Sequence, residues 1–196
     1  WEELFGVPLP KVGYILYNQF AKENEDTGEN YDNYLNDVFA WLKSMEIKEL
    51  VIDLRFNGGG RMSSLEYLAS MITGQFNDQV FIQSDHNSKL TSNGTSAQYK
   101  FKNSLEDGTP INSLFLERVH VITSDKTASA SENLINGLSP YIDVIQVGSK
   151  TYGKNEVNIL IYSNQYNILQ TIPNHKLGLY VVVGKNSNIL GFKDFE

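Results

Sequence analysis

Cysteine is absent from the 196 residues, which removes disulfide frameworks, thiolate metal sites and cysteine nucleophiles together. Histidine is scarce: His86, His120 and His175 stand far apart, and neither His-Glu-x-x-His nor another zinc-ligand spacing is formed. No apolar stretch approaches the ~20 residues that span a bilayer, and no signal peptide is visible. The chain opens at Trp1 rather than methionine, so the expectation is a fragment with its targeting segment upstream. Positive charge is in deficit, with 16 Lys and Arg against 23 Asp and Glu and a net charge of −7. No basic stripe marks a sequence-independent nucleic-acid binder, so no nucleic-acid partner is expected.

What is present suits one globular domain with an α/β layered core. The hydrophobic content is 41% and the aromatic content 12%, enough at this length to bury roughly 70% of the unfolded surface. Val12 to Tyr17 reads as a strand. Tyr31, Tyr34, Leu35, Val38, Phe39 and Leu42 then mark one helix face by their three-and-four spacing. A strand over Leu50 to Phe56 and a helix ending at Ile72 follow. Val80 to Gln83 and Arg118 to Thr123 read as strands around the polar stretch Asp85 to Gly108, the least core-like part of the chain. Ile142 to Val147 is a further strand. Val157 to Tyr162, Tyr166 to Ile172 and Leu179 to Val183 suggest an antiparallel run, with Ser163-Asn164-Gln165 as a turn. Alternating elements followed by clustered strands predict an α/β layer protein rather than a sandwich or bundle.

Three segments carry chemistry. Thr127-Ala128-Ser129-Ala130-Ser131-Glu132 is followed, 25 positions after Ser129, by Lys154 in Gly148-Ser149-Lys150-Thr151-Tyr152-Gly153-Lys154. A serine hydroxyl needs a neighbouring base to take its proton during attack. A lysine serves when burial disfavours its ammonium form, which makes Ser-Lys variants of the triad physically reasonable. Small neighbours leave room for a substrate backbone, and Ala130 N–H could serve a developing oxyanion if a helix starts here. The same four residues, Ser129 to Glu132, also spell a helix capping box ahead of Leu134, Ile135 and Leu138. The third segment is Leu50-Val51-Ile52-Asp53-Leu54-Arg55-Phe56 running into Asn57-Gly58-Gly59-Gly60. Glycines after a strand allow positive φ and close backbone approach. Neither dinucleotide nor P-loop fingerprint is completed, which disfavours nucleotide binding. Asp53 and Arg55 read as a structural pair.

Taken in order, Leu54 to Gly60, Ser129 to Glu132 and Gly148-x-x-Thr151-Tyr152-Gly153-Lys154 resemble the three signature blocks of the C-terminal processing (tail-specific) serine peptidases. The resemblance runs from about Val12 onward and implies the catalytic core over residues 1–196, similar to the Clp protease and crotonase folds, with a mixed sheet, helices and an antiparallel strand run toward the C-terminus. By that resemblance Ser129 is the nucleophile and Lys154 the general base. The oxyanion is served by Ala130 N–H and by the glycine turn, through Gly59 and Gly60. The family's glutamine that orients the lysine falls at Asn158, one methylene shorter. Asn155 stands where the family often has a small residue.

The expected reaction is peptide-bond hydrolysis through an acyl-enzyme, with a polypeptide substrate engaged near its C-terminus and no cofactor or metal. The family's PDZ-type domain is not seen in these residues, and its members act mostly in the periplasm or at the cell envelope. Two rival readings stand beside this one. A peptide-binding or scaffold member without turnover would accommodate Asn158, and a crotonase-type acyl-coenzyme-A enzyme would use the glycines but leave the Ser129 to Lys154 interval unexplained.

Overall fold

Runs of aliphatic and β-branched residues form a central sheet of four parallel strands. The computed structural model describes residues 9–24, 26–91, 96–162 and 178–193. In this sheet β1 (Val12–Leu16), β2 (Glu49–Asp53), β5 (Arg118–Thr123) and β6 (Asp143–Gly148) lie side by side in that order. The crossovers are helical, as parallel pairing requires. Helix α1 (Tyr31–Ser44) links β1 to β2, and Asn30 caps it by accepting from Asn33 N–H at 3.0 Å. Helix α2 (Met62–Ile72) follows β2, and α4 (Ala130–Leu138) joins β5 to β6. Phe39, Leu42, Leu50, Ile52, Leu65, Leu68, Val119, Val121, Leu134 and Leu138 are buried together between these helices and one sheet face.

A second sheet is antiparallel throughout, in the order β4 (Ala97–Lys100), β3 (Val80–His86), β8 (Gly178–Asn188), β7 (Glu156–Tyr162). The layered α/β reading holds, and the two strand directions fall in separate sheets. The polar stretch after Asp85 departs from the expectation. It contains a short helical turn α3 (Ser88–Thr91) and strand β4, and it delivers Phe101 and Leu105 to the core. Phe101 packs on Phe81 and Tyr141 with ring centroids 4.8 and 5.0 Å apart. Tyr99 and Phe101 alternate with lysines, but over too few residues to stand out from the polar stretch, which is why this strand is hard to read. The strand read over 166–172 and its turn at 163–165 lie outside the described residues.

Helix α4 is the joint between the sheets. A Cβ at Gly137 would come within 2.6 Å of Phe81, so only glycine lets the helix lie this close to β3. Asn136 then accepts from Asn188 Nδ2 at 3.0 Å and donates to the Phe192 carbonyl at 3.1 Å, tying α4 to the end of β8. Among the described residues no helix is long and apolar enough to cross a membrane.

Candidate active site

Ser129 occupies the junction between β5 and α4, and its backbone is strained there. Its φ of 60° with ψ of −114° is a conformation that residues with a side chain rarely adopt, and such strain persists only where surrounding contacts over-determine it. Those contacts come from the end of β2. Thr127 Oγ1 donates to the Leu54 carbonyl at 2.8 Å, and the Ser124 hydroxyl donates to the Arg55 carbonyl. Ala128 N–H and the Ser131 hydroxyl both donate to the Asn57 carbonyl, at 3.1 and 3.0 Å. Asn57 is fully buried; its Nδ2 donates to the Tyr17 carbonyl at 2.9 Å and its Oδ1 accepts from Gly59 N–H at 2.8 Å. The serine turn is thus bound to the glycine turn by buried backbone acceptors.

The glycines are required by contact. Gly59 has φ of +100°, and a Cβ there would lie 2.7 Å from Ser129 Cβ and 2.8 Å from both the Ala128 carbonyl and the Ala130 nitrogen. Gly60, at φ +142°, presses on the Phe20 carbonyl. Because Gly59 N–H is engaged by Asn57, Gly59 contributes close approach to Ser129 rather than a free donor. The glycine that lines the open cleft is Gly58, a neighbour of the two whose amides the family resemblance implies. Among the described residues the amides of Gly58, Gly60 and Ala130 make no hydrogen bond.

Lys154 arrives from the other side, on the turn between β6 and β7. Tyr152 N–H donates to the Thr127 carbonyl at 3.0 Å, which lays this turn against the serine loop. Asn155 is buried, donating from Nδ2 to the Lys193 carbonyl at 2.5 Å and accepting from Asn186 N–H at 2.8 Å. The side chain that departs from the family's small one therefore ties the lysine turn to the segment after β8, while its backbone carbonyl meets β8 itself. Asn158 lies two residues into β7, where the pairing with β8 shifts by one and Val183 has no partner. Such a bulge re-aims the side chains beside it.

These elements enclose a cleft of about 480 Å³. Gly58 and Ala128 form its serine side; Lys154, Glu156 and Asn158 form its lysine side; Tyr152, Tyr180 and Val182 supply apolar walls. Ser129 and Lys154 are both half-buried. Among the described residues no hydrogen bond joins the Ser129 hydroxyl to the Lys154 amine, or Lys154 to Asn158. The structure thus brings Lys154 into a cleft lined by Ala128, the neighbour of Ser129, while Ser129 itself is not among the lining residues.

The histidines stand elsewhere. His120, between buried Val119 and Val121 on β5, pairs with Glu49 at 3.1 Å; His86 lies on β3, and His175 lies outside the described residues. Asp53 is a structural carboxylate, fully buried, taking the Arg55 amide and guanidinium and the Tyr14 hydroxyl at 2.8 Å. The Arg55 hydrogen bonds hold its pKa down to about 2.

The sequence pattern of peptidase family S41 matches residues 11–184. The chain is 30% identical over 190 residues to the carboxy-terminal processing protease CtpB of Bacillus subtilis, covering 94% of this chain and 33% of that protein. It is 26% identical over 147 residues to a CtpA-like serine protease of Staphylococcus aureus, covering 75% of this chain and 26% of that protein. Among solved structures, an S41 protease of Bacteroides fragilis superposes with a TM-score of 0.78 at 26% identity, over 96% of this chain and 48% of that one. A photosystem II D1 C-terminal processing protease shares the fold, with a TM-score of 0.65 at 21% identity over 93% of this chain and 39% of that one. The chain therefore spans about a third of the length of the B. subtilis relative.

Proposed function

The chain belongs to peptidase family S41, and from that premise we propose that it is the catalytic core of a serine peptidase in which Ser129 attacks and Lys154 is the base. The observation that carries this is Ser129 itself, held at φ 60° at the start of α4 while the lysine turn is bound against the same loop. A strained strand-to-helix turn exposes a nucleophile and places helix-terminal amides behind it.

The steps follow from the residues. Ser129 Oγ forms a bond to the scissile carbonyl carbon as Lys154 Nζ takes its proton; the carbonyl oxygen becomes an oxyanion. Ala130 N–H and the unengaged amides of the glycine turn, from Gly58 and Gly60, stabilise that charge. Lys154 returns the proton to the leaving amine as the C–N bond breaks, and water then hydrolyses the ester by the same exchange. Asn158 orients the lysine amine in the place of the family's glutamine, directly or through a water. The substrate is an extended polypeptide lying between the glycine turn and β7, cleaved near its C-terminus, with no metal or cofactor in these steps. Action outside the cytoplasm is the companion proposal.

The unclosed gap between Ser129 and Lys154, together with the shorter Asn158, favours a second reading: a peptide-binding member without turnover. One experiment separates them. Cleavage of fluorescein-labelled casein, abolished in both Ser129→Ala and Lys154→Ala variants that remain folded, supports the peptidase. No cleavage by the wild-type chain, alongside measurable peptide binding, supports the scaffold.

A further inference from the structure

Glu132 does more than cap its helix. The capping box foreseen from Ser129-Ala130-Ser131-Glu132 is present, with Glu132 Oε2 accepting from Ser129 N–H at 2.7 Å. The same oxygen also accepts from Lys154 N–H at 2.9 Å, and Oε1 accepts from Gly153 N–H. One carboxylate, only 2% exposed, therefore gathers the amides of the nucleophile and of the base, although one stands at the start of α4 and the other on the turn between β6 and β7.

We infer that Glu132 is the positioning residue that sets the distance between Ser129 and Lys154; the inference rests on the dyad reading above. An ionised carboxylate is an acceptor on both oxygens and offers up to four lone-pair directions. Three convergent N–H donors use it as no neutral side chain can, and charge-assisted bonds shielded from water are the strong ones. The start of α4 favours the negative charge through its unpaired amides and dipole. Glutamine in this place would turn an NH2 toward N–H donors, opening the contact on one side. Aspartate would still reach back to the cap amide, as its short side chain does at helix starts, but would fall short of Gly153 and Lys154. The two substitutions thus separate the cap from the cross-link. Displacing reacting groups by about 1 Å costs on the order of a hundredfold in rate.

The test uses Glu132→Gln and Glu132→Asp in the full chain, with labelled casein for kcat and KM and a fluorophosphonate for the rate and final stoichiometry of acylation. The expected result is kcat lower by about a hundredfold in Glu132→Asp, which keeps the cap but loses the cross-link, and by about tenfold in Glu132→Gln, which opens it on one side, with KM within about threefold. Acylation slows by the same factors yet still reaches one label per chain. Three outcomes overturn the inference: kcat within twofold of wild type in both variants, a reduced labelled fraction that reacts at the wild-type rate, or loss of fold in both. Ser129→Ala and Lys154→Ala are run alongside. Wild-type activity in those would overturn the dyad itself, whereas their inactivity beside active Glu132 variants overturns the positioning role alone.

Discussion

The serine side and the lysine side of the cleft are held by opposite means. Ser129 stands where a buried parallel strand meets a buried helix, its turn pinned by the Leu54, Arg55 and Asn57 carbonyls and pressed against a glycine with no room for a methyl group. Lys154 stands on a turn leading into strands with exposed Leu160, Leu179, Tyr180 and Val182. It is located by polar cross-links, through Tyr152, Glu132 and Asn155, rather than by packing. On the proposed roles, the difference teaches that a nucleophile with a strained backbone draws on the core, whereas a base on a turn draws on hydrogen bonds that a substrate or neighbouring segment can tune.

The largest effect is expected where the two sides meet. Ser129→Ala and Lys154→Ala each lower kcat by about a thousandfold or more, without additivity in the double variant because the residues act as a unit. Additive losses measured by casein cleavage would break the comparison by showing two independent contributions.

A pair of glycine substitutions sharpens the contrast in packing. Gly59→Ala forces a Cβ against Ser129 and is expected to lower kcat by about a hundredfold and stability by roughly 1–3 kcal/mol. Gly153 also has positive φ, +88°, but a Cβ there meets nothing within 4 Å. Gly153→Ala is expected to cost only the backbone strain, about 1 kcal/mol, with a kcat loss of no more than about tenfold. Thermal unfolding and casein kinetics on the two variants read both.

Asn155→Ala removes the side-chain tie from the lysine turn to the Lys193 carbonyl, beyond β8. The expected result is a kcat about tenfold lower with little change in Tm, because the side chain ties a turn and not the core. A fall in Tm with unchanged kcat would show that the turn is held by packing after all.

The smallest effect concerns stability alone and lies on the parallel side. Asp32 in α1 is 3% exposed, and burial raises its pKa from 3.8 to about 6, against the lowering effect of Ser64, Lys22 and Arg61. A folded pKa above the unfolded one means that the fold favours the protonated form. This group's contribution is therefore full below about pH 3.8 and is lost as pH rises through about 6. Asp32→Asn is expected to stabilise the protein by on the order of 1–3 kcal/mol at pH 7.5 and to give no gain below pH 4. Denaturant unfolding at the two pH values measures it.

How much was legible follows the same division. The parallel strands, α1, α2 and α4 announce themselves through apolar runs and three-and-four spacing, and the Ser129 and Lys154 interval through local motifs. The rest depends on contacts far apart in sequence. Ser129 as nucleophile and Ser129 as cap read as competitors, yet the capping backbone at φ 60° is compatible with the proposed nucleophile. Glu132 spells a cap within four residues, but nothing local shows its carboxylate reaching Gly153 and Lys154. Asn155 reads as a disturbance of the turn because its partners, Asn186 near the end of β8 and Lys193 beyond it, are distant in sequence. The family resemblance implies amides from Gly59 and Gly60, whereas the Asn57 side chain claims that of Gly59, a detail set by rotamer and not by spacing.

The most direct test of the dyad is intact-mass and peptide-level mapping of a fluorophosphonate adduct, with its rate compared between the wild-type chain and a folded Lys154→Ala variant. The account predicts a single adduct on Ser129 and acylation slowed at least about a hundredfold when the lysine is removed. An adduct on another residue, or a rate indifferent to Lys154, would contradict it.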